Sequence, residues 1–399
     1  MKHSKILFPG LLSAAIFMAL LQSGCSPGNR QKAEAETWSV RMADAVMTRY
    51  DSLVYYLDPP RVKWQYDVAM LGQAIARLQT VDDKYIKYLK DYMDYFVQDD
   101  GQVRIYDPSA YNLDYINPAK GLFTMYNYTG EEKYRDAIGQ FVDQLVHQPR
   151  THSDGFWHKK IYPWQMWLDG IYMSSPFMAE YAASFDQPSW YDTAVYQITL
   201  IHSKTLDPAT GLLYHAWDES REQKWADPET GQSPHFWGRA MGWYMMALVD
   251  VLGYLPEEHP GYARLTGFLD SLSEALLPYR DQSKGLWYQV VDMGGKEGNY
   301  LETSCSAMFT YAFAKGAKLG VLPDEYKGIA VDCFNSIVDY CVITDTDGLP
   351  TLKYTCGGAG LGGNPYRDGS YEYYIGEPTR DNDPKGVAPF IMAALELGK

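Results

Sequence analysis

The run YPWQMWLDGIYMSSPF, residues 162–177, holds one charged side chain, Asp169, among aromatic and methionine neighbours. If Trp164, Met166 and Trp167 strip water from that carboxyl, its neutral form is favoured and it can hand a proton to a substrate. The competing assignment is an N-cap for a helix beginning near Ser174. It is the weaker one, because Ser174 and Ser175 are themselves good caps and Asp-Gly needs only a turn. Asp169 is therefore expected to be a proton donor.

Other chemistry-bearing residues cluster in three loops, the last of which holds two motifs. Asp114 lies in YNLDYINP, where a turn aspartate ahead of Asn117-Pro118 is an equally ordinary reading. His158 and Lys159 precede Asp169. His215, Trp217 and Asp218 lie in YHAWDES, and His235, Trp237, Arg239 and Trp243 in SPHFWGRAMGWY. Arg239 is two residues after Trp237 and four before Trp243, so one helical turn can present the guanidinium and both indoles together. An arginine framed by aromatics suits a carboxylate on a sugar ring, although an arginine snorkelling from a buried helix to a surface acid fits equally well. His215 by itself reads more readily as a hydrogen-bonded core histidine than as a catalytic one. The sequence has no nucleophile elbow, no phosphate-cradling glycine loop and no clustered Cys/His set. No metal or organic cofactor is expected, and carboxylate chemistry is what remains.

The elements that must position these residues repeat along the chain. Six apolar runs rich in Ala, Met and aromatics begin near Asp67, Lys120, Ser175, Ala240, Ser304 and Gly386, and read as helices buried on both faces. The first five are each followed by a break and a more polar helix with a tyrosine near its start: Tyr85, Tyr134, Tyr191, Tyr262 and Tyr326. Several of these starts are acidic, which favours initiation through the helix dipole. Residues 37–57 supply a sixth outer helix. After each of the five outer helices comes a glycine turn (Gly101, Gly155, Gly211, Gly285, Gly348) and a short strand-like piece. Six helical hairpins with atypical ends predict an all-α, six-hairpin (α/α)6 toroid with short strand-like loops at the active-site end. An open superhelix is the alternative. In the ring, the loops before the inner helices converge on one cleft, and the inner-helix N-termini there favour anionic groups.

Composition narrows the class further. A formal charge of −15 argues against a nucleic-acid surface. Thirty-four tyrosines and eleven tryptophans suit sugar stacking as well as ordinary cores. Met1–Lys5, the apolar stretch 6–21 and Gln22-Ser23-Gly24-Cys25 read as an export signal too short to span a membrane. Residues 1–25 are thus expected to be a lipoprotein-type signal peptide ending at a lipidated Cys25, residues 26–36 a polar tether, and 37–399 a single catalytic domain. That places the protein in the periplasm or at the outer membrane, touching the bilayer only through its anchor. Cys305, Cys333, Cys341 and Cys356 show no metal-ligand spacing, and their pairing is left open.

WLDGIYMSSPF, YHAWD, SPHFWGRAMGWYMMALVDVL and GGAGLGGNPYRDGSYEYYIGEPTRDNDPKGVAPFIMAALE occur in the order that glycoside hydrolase family 105 shows. The chain after the tether resembles these unsaturated rhamnogalacturonyl hydrolases, and less closely the unsaturated glucuronyl hydrolases of family 88. The resemblance implies an (α/α)6 fold and a substrate with a 4,5-unsaturated uronic acid at its non-reducing end, left by a polysaccharide lyase. It implies Asp169 as proton donor, Asp114 as the second carboxylate, and His158, Lys159, His215, Trp237, Arg239, Trp243 and Tyr66 as the substrate-binding shell. His235 stands where the family has a cysteine or small residue. The implied reaction protonates and hydrates an enol ether, so the glycosidic bond breaks as a consequence. Two other readings stay open on the residues alone: a two-carboxylate inverting glycosidase using Asp114 and Asp169, and a non-catalytic glycan-binding lipoprotein.

Overall fold

The computed structural model describes residues 37–56 and 62–399, so the expected signal peptide and tether lie outside the described residues. Thirteen helices occur among them. The inner ones are α2 (Tyr66–Ala76), α4 (Ile116–Thr129), α6 (Leu168–Phe185), α8 (Gly238–Leu252), α10 (Thr303–Lys318) and α13 (Pro384–Leu397). The outer ones are α1 (Trp38–Arg49), α3 (Lys84–Phe96), α5 (Glu132–Val146), α7 (Ser189–Thr205), α9 (Tyr262–Leu276) and α11 (Glu325–Cys341), and a short α12 (Tyr371–Gly376) precedes α13.

The two layers differ as their sequences require. Every residue of α8 except Asp250 is buried, which only a helix apolar all round can tolerate. In α5 the buried residues Tyr134, Ala137, Ile138, Phe141 and Leu145 form one stripe at helical spacing, and the opposite face carries charge. The early tyrosines of two outer helices reach back to the preceding one. Tyr85 donates to Asp44 at 3.0 Å and Tyr134 to Asp94 at 2.6 Å.

Each inner helix packs on the next, and α13 packs on α2, so the ring closes and the open superhelix is excluded. Closure has a polar lock. Lys385 Nζ lies 3.0 Å from Asp67 Oδ2 and 2.8 Å from Asp383 Oδ1, all three side chains being buried. Ser39 N, from α1, also donates to the Lys399 carbonyl at 3.1 Å. Close approach matters within the ring too. A Cβ on Gly242 of α8 would meet Met308 Cβ of α10 at 2.9 Å.

Two local expectations are corrected. Helix α6 begins at Leu168, not near Ser174, so Asp169 sits in its first turn. Of the five turn glycines, Gly155 does not take positive φ; Asp154 does, at 64°. Gly155 is needed instead for space, since a Cβ there would meet Met166 Sδ at 2.1 Å. The strand-like pieces amount to β1 (Gln165–Trp167), β2 (Ala216–Asp218), β3 (Val342–Thr344), β4 (Pro350–Leu352), β5 (Thr355–Cys356) and β6 (Thr379–Arg380), paired β1–β2, β3–β4 and β5–β6. All four cysteines among the described residues are free and buried.

Removing one partner of a buried charge cluster leaves the others uncompensated. Lys385→Met should therefore lower stability by about 3–5 kcal/mol in a urea titration. A loss below about 1 kcal/mol would show that the ring closes without this lock.

Candidate active site

The N-terminal ends of the inner helices gather Tyr66, Asp114, Asp169, His215 and Arg239 at one end of the barrel. The antiparallel pair β1–β2 does the closest positioning. Its register sets Trp167 opposite Ala216, so Asp169, two residues on, comes beside His215, one residue back. Leu168 N donates to the His215 carbonyl at 3.0 Å, fixing that alignment. A second tether joins the loops of α4 and α6. Leu113 N donates to the His158 carbonyl at 3.1 Å, and Asn112 Oδ1 caps Asp114 N at 3.0 Å.

Each carboxylate has its own histidine. Asp169 Oδ2 lies 3.1 Å from His215 Nε2, and the side chain keeps 16% of its surface open to the cleft. His215 is fully buried, and its Nδ1 pairs with Tyr374 Oη at 2.9 Å. Asp114 Oδ1 lies 3.5 Å from His158 Nε2, and Asp114 Oδ2 accepts from Lys159 Nζ at 2.5 Å. Burial works against ionisation of Asp114, but Lys159 and His158 outweigh it and hold the carboxyl below the usual carboxylate range. Burial pulls His158 down to about 4 despite Asp114, so the ring is neutral near pH 7. The Trp167 indole sits between the two pairs, stacked on His158 (4.6 Å, 11°) and edge-on to His215 (5.4 Å). Gly170 makes room for this arrangement. A Cβ there would meet His158 Nδ1 at 2.8 Å.

Of the three residues expected to dry Asp169, only Trp167 faces the site. Side chains alternate along a strand, so Met166 points away, under Gly155. Trp164, at positive φ, stacks on His152 at 4.5 Å.

Trp237, Arg239 and Trp243 are brought together as a buried floor, not as an open clamp. Arg239 bonds the Cys356 carbonyl and lies 3.7 Å from the buried Glu302, while its Nε and Nη1 have no partner among the described residues. It therefore does not snorkel to a surface acid. Trp237 lies 4.7 Å from His215, stacks on Tyr374, and donates to Gln289 Oε1 at 3.1 Å. Trp243 stacks on Tyr172 (5.0 Å) and meets Tyr66 edge-on (6.2 Å). Burial, with Asp67 and Asp114 nearby, pushes the Tyr66 phenol well up, so it stays a neutral hydrogen-bonding group. Asp218 is spent on loop structure, accepting from Ser220 and Gln223, and His235 stands apart beside Tyr371.

Two hollows lie near these residues, one of them reaching Asp114. One of about 360 Å³ is lined by Trp64, Tyr66, Asn112 and Asp114. The other, of about 630 Å³, is lined by Tyr162, Gln165, Pro365 and Arg367. Arg367 donates to Tyr162 Oη at 2.9 Å, and Tyr162 stacks on Trp167 at 4.9 Å. Tyr374, Glu302, Tyr162 and Arg367 escaped the sequence reading. Tyr374 lies 159 residues from its histidine, and no local pattern marks such a pairing. Glu302 had one local signal, its N-cap position ahead of the α10 run, where it accepts from Cys305 N at 2.7 Å.

With this geometry in place, comparison with known proteins is informative. The sequence model described as Glycosyl Hydrolase Family 88 matches residues 38–399. A solved family 105 glycoside hydrolase from C. acetobutylicum ATCC 824 is 41% identical, with a TM-score of 0.87 over 91% of this chain and 99% of that one. Protein Atu3128 of Agrobacterium fabrum is 40% identical over 56% of this chain and 97% of its own length. Unsaturated rhamnogalacturonyl hydrolase YesR of Bacillus subtilis is 26% identical over 64% of this chain and 71% of its own length.

The buried His158 ring takes up no proton until about pH 4, whereas an unfolded histidine does so near 6.5. The unfolded state therefore binds more protons in that window, and stability falls as pH drops through it. The full loss is on the order of 3 kcal/mol for such a shift. His202, stacked on Phe268 and also depressed to about 4 by burial, adds a second contribution. Thermal midpoints should fall on acidification from about pH 6.5 to 4, and His158→Gln should flatten that slope. Identical slopes in the two proteins would contradict the assignment.

Proposed function

This chain belongs to glycosyl hydrolase family 88, and from that membership and the site's geometry we propose that it removes a terminal 4,5-unsaturated uronic acid from lyase-generated oligosaccharides. The observation that carries the reading is the unequal state of the two acids. Both acids keep a similar share of surface open and each has an oxygen near a histidine, but only Asp114 is also engaged by Lys159, which helps hold it ionised. A base on a saturated sugar needs proton affinity, which Asp114 lacks in this setting. One available acid favours a substrate that needs only one.

An unsaturated uronide is such a substrate, because its C4=C5 bond is an enol ether. Asp169 gives its proton to C4, leaving positive charge shared between C5 and the ring oxygen. Water then adds at C5 and returns a proton to the Asp169 carboxylate, so the net change is addition of one water. The resulting hemiketal opens, and the next sugar leaves with its glycosidic oxygen. His215 packs against the donor: its Nε2 lies 3.1 Å from Asp169 Oδ2 without a formed hydrogen bond, and Tyr374 Oη occupies Nδ1. Lys159 and the buried Arg239 supply positive field for the uronate carboxylate. Trp167, Trp237 and Tyr66 form the apolar and neutral polar surfaces around it.

We assign rhamnose to the position after the uronate, a reading supported by the similarity to YesR, an unsaturated rhamnogalacturonyl hydrolase. Export and anchoring through Cys25, in the periplasm or at the outer membrane, are proposed on residues 1–25 alone.

The conjugated alkene–carboxylate absorbs in the ultraviolet, and hydration abolishes that absorbance. With unsaturated galacturonyl-rhamnose oligosaccharides the absorbance should decay, and Asp169→Asn should slow the decay by about 10²–10⁴-fold. Cleavage of a saturated oligosaccharide, with no decay for any unsaturated one, would replace this reading by the two-carboxylate alternative.

A further inference from the structure

The opposite end of the barrel axis, where the C-terminal halves of the inner helices meet, holds a cavity of about 280 Å³. Lys120 of α4 faces it. The side chain is only 7% exposed, and its Nζ sits 3.8 Å from the centre of the Tyr172 ring. Among the described residues Nζ has no hydrogen-bonding partner, an unusual state for so buried a lysine. Nearby acids are only partly engaged. Asp250 Oδ1 accepts from Lys315 and Tyr311, each at 2.6 Å, and Arg77 pairs with Glu396. Glu180 is pushed up to about 7 by burial, with Tyr254 and Lys120 opposing. Lys120 itself is drawn down to about 8 by burial, with Asp250 and Glu180 opposing, so it remains mostly charged at neutral pH.

The remaining wall decides which anion fits. Gln73 and Thr124 offer polar groups, Met70 and Met392 apolar surface, and Asp250 and Glu180 oxygens that call for donors. Those acidic oxygens repel a multiply charged anion and welcome hydroxyl groups. The volume lies at the lower end for small-molecule sites, enough for one sugar ring and too little for an oligosaccharide. A partition separates it from the catalytic end, since Tyr172 stacks on Trp243, which in turn meets Tyr66.

We propose that this cavity is a second ligand site, taking a monomeric sugar acid with its carboxylate on Lys120 and its hydroxyls on Gln73, Thr124, Glu180 and Asp250. Monomeric uronates belong to this class, and the inference stands whether or not the reaction proposed above is right.

The test is calorimetric titration of the full chain with D-galacturonate, a saturated probe without the reactive double bond, together with a crystal soak in the same compound. Lys120→Met, close in size and uncharged, should lose binding at this site at least tenfold while turnover of the unsaturated oligosaccharide is unchanged. The soak should show the carboxylate on Lys120 in the unaltered protein. Equal binding in Lys120→Met would overturn the proposal, as would a sugar acid found only beside Asp169. Acetate or phosphate binding as tightly as galacturonate would reduce the cavity to a general anion site and overturn the sugar-acid assignment. Because binding is read without turnover, failure of the proposed reaction would leave this result intact.

Discussion

A buried lysine holds the ring shut. Lys385, at the start of the last inner helix, lies between Asp383 on its own segment and Asp67 on the first inner helix, all three out of water. Because each inner helix is followed by an outer one that returns the chain, the inner helices run the same way and their N-termini share an end. Closure completes that ring. The neighbouring residue to Asp67 is Tyr66, which faces Asp114 across a shared hollow. The joint that completes the fold therefore also fixes one wall of the cleft. A buried ion cluster is not in general the most stabilising choice for a core. Its value here lies in register: an α13 slipped against α2 would bury unpaired charge.

On that frame, two carboxylates on adjacent inner-helix entries acquire different characters. Asp114 is bound by an ammonium group and a neutral imidazole. Asp169, in the first turn of α6, has a histidine whose other nitrogen is occupied by a tyrosine. Trp167 lies between the two histidines and fixes both by its ring. The same amino-acid type thus meets two different surroundings: Asp114 is held ionised by Lys159, whereas Asp169 has no such ammonium partner among the described residues.

Much of this was legible in the sequence, because hairpin repetition is a local and periodic signal. The six apolar runs and the outer-helix tyrosines correspond to real helices, and the motif resemblance agrees with the family and the fold. Misreadings arose where tertiary pairing overrode local pattern. Ser174 and Ser175 looked like caps, but the β1–β2 pairing stops at Trp167 and lets the helix start at once, drawing Asp169 into its first turn. Aromatic density around Asp169 implied a drying shell, yet strand alternation turns Met166 away and Trp164 goes to His152. Arg239 and its two tryptophans do not share one helical turn, since Trp237 is the extended N-cap of α8, and the close packing of that helix buries all three. Tyr374 carried no local mark at all, because its contact with His215 depends on the C-terminal segment returning across the barrel end.

Among available measurements, the fate of the solvent proton bears most directly on a single-acid mechanism. Turnover of an unsaturated galacturonyl-rhamnose substrate in D₂O, with the first-formed product followed by NMR, should place one deuterium at C4, on one face only. Released rhamnose should carry no carbon-bound deuterium. A first product with its C4=C5 bond intact and no label at C4 would mean that the glycosidic bond is attacked directly, and the account built on Asp169 as donor to the alkene would be wrong.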